Sequence, residues 1–241
     1  MNIFFNNKLL KSTDEILFSE DEAKHIVKVL RKKIGDEIIV TNGKGLKWRG
    51  TISSINIKNL KAIKSDAKLI PKSFENIHIA ISIIKSNSRM EWFIEKATEL
   101  GVNEITPIIC FNTERKSLNL DRCQKIMISA VKQSKRFFIP KLNPVISLKE
   151  FLALKNKNHH TYIAHCHKGE KKLVHEIQSI NNKVTVMIGP EGDFSADEIN
   201  FSINNNAIPI SLGENRLRTE TAGIFAINNL IIQKHILKTK Y

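Results

Sequence analysis

Two strand-loop-helix units near the carboxyl end of the sequence constrain the fold of this chain most strongly. The first is VTVMIGPEGDFSADEI (184–199), where a run of β-branched residues predicts a buried strand that must end at Gly189 and Pro190. Ser195 precedes Glu198 by three residues. This spacing is the reciprocal pairing of a capping box, so it predicts a helix that begins directly after the loop.

The second unit, IPISLGENRLRTETA (208–222), repeats this plan with a short strand, a turn at Gly213 and an apolar helix. Ligands of open α/β sheets collect at the carboxyl ends of the strands, so the two loops predict one small-molecule pocket. Neither loop has the glycine spacing of a dinucleotide fingerprint or the Gly-Lys-Ser/Thr of a P-loop. We therefore expect a ligand such as an adenosine without a phosphate, held by backbone groups at Gly189, Gly192 and Gly213.

Hydrophobic periodicity divides the sequence into two differently patterned parts. Up to residue 70, short strands alternate with turn signals, as in a small barrel; from residue 74, strands alternate with helices, as in a parallel sheet covered by helices. The fold class is therefore predicted to be α/β, with domains at 1–70 and 74–241 and a boundary within the polar stretch 67–75. The expected elements are, in order, helix 20–32, strands 37–40, 46–55, 60–64 and 77–84, helix 89–100, strand 104–110, helix 121–135, strand 161–166 and helix 170–180, followed by the two units above.

Five motifs in this sequence match those of one known family in type and in order. They are H-x-x-x-V-L-R-x-x-x-G at 25–35, K-A-x-E-L-G followed by I-T-P at 96–107, A-x-x-Q-x-x-R-x-x-x-P at 130–140, G-P-E-G-x-F-S-x-x-E-I at 189–199 and L-G-x-x-x-L-R-T-E-T at 212–221. With these motifs the chain resembles the RsmE-type ribosomal RNA uracil-N3-methyltransferases, a branch of the SPOUT (trefoil-knot) superfamily. The likeness spans nearly the whole chain.

Two positions depart from the pattern of that family. Asp193 stands where the family usually has glycine, and Asn215-Arg216 stands where it usually has arginine followed by an aliphatic residue. Aspartate tolerates positive φ better than most residues, so we expect the turn at Asp193 to keep its shape. The second change moves a cation one place along the loop, which either redirects a substrate contact or reflects slack in an irregular segment.

The resemblance implies a PUA-like RNA-binding barrel followed by a SPOUT-type knotted parallel sheet with helices on both faces, the trefoil knot lying near the carboxyl end. It also implies a homodimer that uses S-adenosylmethionine, without a metal, to methylate N3 of a uridine in 16S small-subunit ribosomal RNA. The residues expected to bind the cofactor are Ala164, His165, Ile188, Gly189, Pro190, Glu191, Gly192, Leu212, Gly213, Leu217 and Thr221.

The chemistry of the implied reaction points to two charged residues at the start of the last helix. N3 of uracil is a poor nucleophile until its proton leaves, so the site needs a base or a group that stabilises the anion. Arg218 would hold a uracil carbonyl oxygen while Glu220 takes the proton or orients the base. The alternative is that Glu220 only suits the first helical turn and pairs with Arg218. For Glu191, capping of nearby amides is the commoner outcome for a carboxylate in a turn.

The chain is strongly basic, with 38 Lys and Arg against 24 Asp and Glu and a formal net charge of +14 at pH 7. Such a chain gathers polyanions, and the resemblance implies small-subunit ribosomal RNA or the assembled small subunit as the partner. The residues expected to bind RNA are Arg31, Lys32 and Lys33 in the first domain, and Arg136 and Arg216 in the second. The first three also have a structural explanation, because cations in the last turn of a helix complement its dipole.

Other site types find little support in the sequence. The three cysteines are odd in number and form no C-x-x-C, which argues against a disulfide framework or a zinc ribbon. The group at 165–167, His-Cys-His, lacks a fourth metal ligand with recognisable spacing. The amino terminus lacks the apolar stretch of a signal peptide, and no apolar run reaches the roughly 18 residues of a membrane span. We therefore expect a cytoplasmic protein with no membrane partner.

The sequence leaves alternatives open for the last helix and for the activity. Apolar residues on more than one face of this helix fit either a central core helix or a dimer interface, and the resemblance favours the interface. A non-catalytic RNA-binding or ribosome-assembly factor with a degenerate pocket would explain the departures at Asp193 and Asn215-Arg216. Ribose 2′-O methylation would keep the pocket but change the target atom.

Overall fold

The structure is a computed structural model that describes residues 3–56, 59–72, 76–154, 160–177 and 183–239. The chain forms two compact units. Unit 1 comprises Met1–Lys72 and Val131–Ile139, and unit 2 comprises Ser73–Ala130 and Pro140–Tyr241. The segment 131–139, expected in the second domain, joins unit 1 because Phe137 and Phe138 pair with the turn around Gly45. The Gly45 N–H donates to the Phe137 carbonyl at 2.8 Å, and Phe138 forms a β-bridge with the residue before Gly45.

Unit 1 is built on a five-stranded sheet of order β1-β3-β4-β5-β2, in which only the pair β1 and β3 is parallel. The strands are β1 Ile3–Phe5, β2 Glu15–Phe18, β3 Glu37–Thr41, β4 Leu46–Ile55 and β5 Leu60–Leu69. Trp48 lies fully buried in the core, and its indole N–H donates to the Thr13 carbonyl at 2.8 Å. A Cβ at Gly50 would lie 2.2 Å from the Trp48 ring, so only glycine fits beside it. The three strands predicted for this part are confirmed, and β1 and β2 are additional.

The helix of unit 1 is shorter than the predicted helix 20–32. It consists of α1 Glu20–Lys24 and a π-helical turn His25–Val29. The chain then leaves the helix because Arg31 adopts a left-handed conformation with φ 54°, and the Lys32 N–H donates back to the Ile26 carbonyl at 3.1 Å. Arg31, Lys32 and Lys33 therefore follow the helix instead of forming its last turn, which corrects the sequence-based placement.

Unit 2 is built on a parallel sheet of order β11-β13-β10-β12-β6-β7-β8, with β9 also paired to β7. Its strands are β6 Ile77–Ser82, β7 Glu104–Ile109, β8 Lys141–Leu142, β9 Ile146–Ser147, β10 His160–Ala164, β11 Lys172–Leu173, β12 Val184–Ile188 and β13 Ala207–Ser211. Every one of these pairings is parallel. A parallel sheet brings the carboxyl ends of its strands to one edge, which is the arrangement that the two loop motifs required.

Helices cover both faces of this sheet, as predicted. They are α2 Asn87–Leu100, α4 Leu148–Ala153, α5 Ala196–Asn204 and α6 Thr219–Thr239; a further helix, α3 Leu120–Ser134, begins in unit 2 and ends in unit 1. On one face Met187 of β12 lies in a buried cluster with Phe151 of α4 and Ile199 of α5. On the other face α6 packs so closely that a Cβ at Gly223 would lie 2.6 Å from the Phe93 ring of α2. Central β-strands with apolar side chains on both faces need both layers of helices to exclude water.

Most elements predicted for this part are confirmed within one or two residues, and one is wrong. The predicted helix 170–180 is instead β11 followed by a 3₁₀ turn, Val174–Glu176; residues 178–180 lie outside the described part of the chain. The segment is extended because Lys172 and Leu173 pair with the edge strand β13. The predicted capping box of α5 is confirmed, with the Glu198 N–H donating to Ser195 Oγ at 3.2 Å. In the predicted boundary 67–75, β5 continues to Leu69, and residues 73–75 lie outside the description.

Candidate functional site

A cleft of about 490 Å³ opens at the carboxyl ends of three adjacent strands of unit 2. Strand β10 lies between β12 and β13, and all three run parallel, with Ala164, Ile188 and Ile210 in register. The loops that follow these strands therefore meet at one edge of the sheet. This confirms that the two glycine-marked loops form a single pocket, and the volume falls within the range of small-molecule sites, about 300–1,000 Å³.

Most of the residues expected to bind the cofactor line this cleft. Those found in the lining are Ala164, His165, Ile188, Gly189, Pro190, Glu191, Leu212, Gly213 and Leu217, together with the predicted arginines Arg216 and Arg218. Gly192, Thr221 and Glu220 do not line it. The lining also includes residues that were not predicted, namely Cys166, Lys171, Asp193, Ser211, Glu214, Asn215, Thr219 and Ala222.

The loop after β12 is fixed from several directions. Thr219 Oγ1 donates to the Gly189 carbonyl at 3.1 Å, and Asn112 Nδ2 donates to the Gly192 carbonyl at 3.1 Å. The Glu191 carboxylate accepts the Lys85 N–H at 3.2 Å, so this residue caps an amide as its position in a turn suggested. These hydrogen bonds from residues outside the loop hold this wall of the cleft in place.

Asp193 joins this loop to the loop after β10. It has φ 64°, a left-handed backbone conformation that glycine adopts freely and that aspartate tolerates better than most residues. Its carboxylate accepts two backbone N–H groups, that of Cys166 at 2.7 Å and that of Phe194 at 2.8 Å. Aspartate at position 193, which was one reason to consider a degenerate pocket, therefore connects two walls of the cleft.

His165 presents an unpartnered imidazole to the cleft. Both ring nitrogens are buried and have no hydrogen-bond partner. Burial, together with the positive charge of Lys171, lowers the pKa of His165, so the ring is neutral at pH 7. Lys171 Nζ donates to the carbonyls of His165 at 3.1 Å and His167 at 2.8 Å. Lys171 was missed because its segment was predicted as a helix; its contribution depends on the pairing of β11 with β13.

The loop after β13 forms the opposite wall. Gly213 has φ 118°, and no atom lies within 4 Å of the position that a Cβ would occupy, so its backbone faces open space. Arg216 reaches across to the first loop, its Nη2 lying 3.4 Å from the Glu191 carbonyl. Arg218 is exposed in the lining. Thr219 could have been recognised from sequence as the start of α6, but its bond to Gly189 could not.

Glu220 lies outside the cleft lining, between α6 and α2. It is buried, with its Oε1 3.6 Å from Arg89 Nε, while its Oε2 has no hydrogen-bond partner. The cation at this carboxylate is Arg89, so the alternative in which Glu220 pairs with Arg218 is not what the structure shows. A buried carboxylate beside a half-exposed guanidinium is suited to fixing the orientation of that guanidinium.

The residues expected to bind RNA fall into both units. Arg31 and Lys33 are exposed in unit 1, where the Lys33 N–H also donates to Asp36 at 2.8 Å. Arg136, expected in the second domain, belongs to the segment that packs with unit 1. Arg216 lines the cleft of unit 2. Of the residues expected to bind RNA, tertiary packing therefore gives unit 1 one more than the sequence predicted.

Metal sites and membrane spans are not found in the part of the chain that the structure describes. Within it, no group of three or more His, Cys, Asp or Glu side chains could hold a metal ion. Over the same residues, no helix combines the length and apolar character needed to cross a membrane.

Comparison with known proteins gives matches along most of the chain. A family model described as the RNA methyltransferase domain matches residues 71–231, and one described as the RNA methyltransferase PUA domain matches residues 18–65. The chain is 32% identical over 227 residues to ribosomal RNA small subunit methyltransferase E of Rickettsia conorii, covering 93% of this chain and 92% of the relative.

Solved structures resemble this chain over nearly its full length. A probable rRNA methyltransferase from Porphyromonas gingivalis superposes with a TM-score of 0.91 at 31% identity, covering 98% of this chain and 100% of that one. Ribosomal RNA small subunit methyltransferase E from Neisseria gonorrhoeae, bound to S-adenosyl methionine, superposes with a TM-score of 0.86 at 26% identity, covering 96% and 97%. These matches confirm the predicted fold class, a small β-domain followed by a SPOUT-type parallel sheet with helices on both faces.

Proposed function

This chain belongs to the RNA methyltransferase family that includes ribosomal RNA small subunit methyltransferase E, and we propose that it methylates N3 of a uridine in 16S small-subunit ribosomal RNA with S-adenosylmethionine as the methyl donor. One observation carries the proposal. The loops after β12 and β13 form one cleft whose lining includes Gly189, Gly213 and the exposed Arg218. The partner that follows is small-subunit ribosomal RNA or the assembled subunit, and the compartment is the cytoplasm.

The residues of the cleft fit an adenosine linked to an amino acid. Gly213 leaves its backbone accessible, His165 has two unpartnered ring nitrogens, and buried Ile188 supplies an apolar wall. The remaining predicted lining residues complete the pocket, and cofactor binding by Gly192 and Thr221, which do not line the cleft, stays a prediction. When bound, S-adenosylmethionine supplies an electrophilic methyl group on a sulfonium sulfur. Carboxylates in the lining, such as Glu191 and Asp193, favour a positively charged group nearby.

We assign Arg218 the catalytic role. It lines the cleft, and its guanidinium would hold a uracil carbonyl oxygen and stabilise the negative charge that develops as N3 loses its proton. For Glu220 the position beside Arg89 supports an orienting role at the start of α6, and proton acceptance by Glu220 stays a prediction. Arg31, Lys32, Lys33, Arg136 and Arg216 are proposed to contact the RNA.

We also propose that the protein acts as a homodimer through α6. Alanine, isoleucine and leucine side chains at 226, 227 and 230 face the core, whereas Phe225, Ile232 and Ile236 are 40%, 47% and 51% exposed. A helix that is apolar on both its buried and its exposed side is typical of a subunit interface. The trefoil knot implied by the resemblance stays a prediction.

The function is tested by calorimetry with S-adenosylmethionine and by methylation of small subunits taken from cells that lack this enzyme. We expect binding of the donor and the appearance of N3-methyluridine in digested RNA, identified by mass spectrometry. Methylation of a ribose 2′-oxygen would show that this oxygen, and not N3 of uracil, is the target atom. Absence of both donor binding and methylation would favour the non-catalytic assembly factor and overturn the proposal.

A further inference from the structure

A second depression of about 430 Å³ opens in unit 2 between the amino-terminal ends of α2 and α3. We call it the arginine groove; its lining includes Asn87, Glu91, Arg115, Asn119, Arg122 and Cys123. We propose that the arginine groove, together with Phe111, four residues before Arg115 in the chain, binds a stretch of single-stranded RNA beside the target uridine. This inference rests on the proposed function and adds a substrate-binding site separate from the cleft.

The side chains of the groove leave an excess of positive charge. Arg122 binds the Glu91 carboxylate with Nε and with Nη2, the latter at 2.7 Å from Oε2. Arg115 instead donates to the neutral amide oxygen of Asn87, so its charge is not neutralised there. Burial raises the pKa of Cys123 to about 11, so its thiol adds no negative charge. One carboxylate against two guanidiniums suits a phosphate, for which arginine is the usual fork-shaped partner.

The helix ends around the groove add to this potential. Asn119 Oδ1 accepts the Arg122 N–H at 3.0 Å and so caps α3, and the first turn of α2 contains no acidic residue. Helix amino termini carry partial positive charge, which favours an anion. Asp121 in the first turn of α3 opposes this effect. The guanidiniums therefore remain the main attraction for a phosphate.

The groove is linked to the cleft by the contacts of one residue. Lys85 is the connecting residue, since its N–H donates to Glu191 of the cleft and its Nζ lies 2.6 Å from Glu114 Oε2. Asn87 follows two residues later, within about 7 Å of extended chain, and Arg115 follows Glu114. A strand that places its uridine in the cleft can therefore pass its backbone over the groove.

Phe111 supplies the contact that a base would need. Its side chain is 80% exposed, although its backbone is fixed by donation of its N–H to Glu198 Oε1 at 2.8 Å. It directly precedes Asn112, which holds the cleft loop. Positive grooves combined with exposed aromatic rings are the usual means of binding single strands, because every base can stack on such a ring.

The charge of the groove is tested with variants that act in opposite directions. The double variant Arg115→Gln/Arg122→Gln should weaken binding of a labelled oligouridine about tenfold. It should also reduce the slope of log affinity against log salt by about 0.7 for each phosphate that the variant no longer neutralises. Glu91→Gln should do the reverse and strengthen binding. Lys125→Gln, an exposed cation on the same helix outside the groove, is the matched control.

The aromatic contact is tested in the same assay. Phe111→Ala should weaken oligouridine binding about tenfold and Phe111→Trp should retain it, with Leu154→Ala as the control for removal of an exposed apolar side chain.

On small subunits, the groove and Phe111→Ala variants should raise KM about tenfold at unchanged kcat and unchanged affinity for S-adenosylmethionine. Variants that match their controls in affinity, salt slope and KM would overturn the inference while methylation by the wild type still supports the proposed function. A wild type that neither binds the donor nor methylates would instead contradict the proposed function.

Discussion

At the scale of single residues, Asp193 shows how a departure from a family pattern can be compensated. The left-handed backbone at this position costs an ordinary residue about 1–2 kcal/mol. Aspartate is more tolerant of this conformation than most residues, and its carboxylate accepts the N–H groups of Cys166 and Phe194. The residue is therefore consistent with a working pocket.

Replacement of Asp193 by a residue that adopts positive φ only with strain, such as alanine, should destabilise the protein more than replacement by glycine. We expect Asp193→Ala to lower the free energy of unfolding by about 3 kcal/mol, through the loss of charge-assisted hydrogen bonds and through retained strain. Asp193→Gly should lose about 1 kcal/mol less, because glycine adopts this conformation freely. Urea denaturation of both variants measures the difference, and equal losses would show that the backbone conformation does not matter.

Arg218 is the residue on which the proposed chemistry depends. Arg218→Ala should reduce kcat by about 10²- to 10³-fold, the usual effect of removing one donor that stabilises a developing anion. Its affinity for S-adenosylmethionine in calorimetry should change little. Arg218→Lys, which keeps the charge without the planar fork, should recover part of the rate. A wild-type rate for Arg218→Ala with normal donor binding would remove this residue from the mechanism.

At the scale of elements, β7 begins in a network of polar groups at the end of the sheet opposite the cleft. Burial raises the pKa of Glu104, but hydrogen bonding from Asn143 and the positive charges of His78 and Lys183 outweigh it and lower the pKa to about 2. Asn143 Nδ2 lies 2.7 Å from the Glu104 carboxylate, and Lys183 also binds it. The ionised carboxylate therefore stabilises the folded state.

The sign of this shift predicts the acid response of the protein. The stabilisation is complete above the unfolded pKa of about 4.5 and is lost as pH falls towards about 2. Glu104→Gln should therefore lower the free energy of unfolding at pH 7 by about 2–3 kcal/mol. Between pH 5 and pH 2 the variant should lose less stability than the wild type. Urea titrations at several pH values test this, with exposed Glu170→Gln as the control. Parallel acid profiles of wild type and Glu104→Gln would contradict the assignment.

The exposed apolar side of α6 makes a separate prediction about association. Replacing Phe225 and Ile232 by aspartate should convert the proposed dimer into a monomer in light scattering, because charges would be buried at the interface. Asn228→Asp adds a charge at an exposed position of the same helix and should leave the mass unchanged if that position lies outside the interface. A wild-type mass equal to one chain would contradict the proposed homodimer.

At the scale of the whole molecule, the formal net charge of +14 predicts salt-sensitive binding to RNA. Replacing Arg31, Lys32 and Lys33 together by glutamine should reduce the salt slope of binding to small subunits by about 2–3, if each contacts one phosphate. These residues lie beyond the helix end, so helix stability should change little. An unchanged slope would exclude them from the RNA interface.

The local sequence determined much of this protein. Strand and helix identity in the two carboxyl-terminal units, the capping box at Ser195 and the left-handed turn at Asp193 all depend on residues within one or two turns of chain. Such interactions are readable because the groups involved are close in sequence. The edge at which the pocket forms was also readable, since loops that follow parallel strands lie at the carboxyl ends of those strands.

The tertiary structure decided what depends on distant partners. Residues 172–176 became a strand and a turn because β13 offered an edge for pairing, and the segment 131–139 joined unit 1 through the turn at Gly45. Contacts between residues far apart in the chain place Lys171 and Thr219 in the cleft lining. They also place Glu220 outside it, beside Arg89. Local propensity carries no information about these contacts, because their free energy comes from groups that only folding brings together.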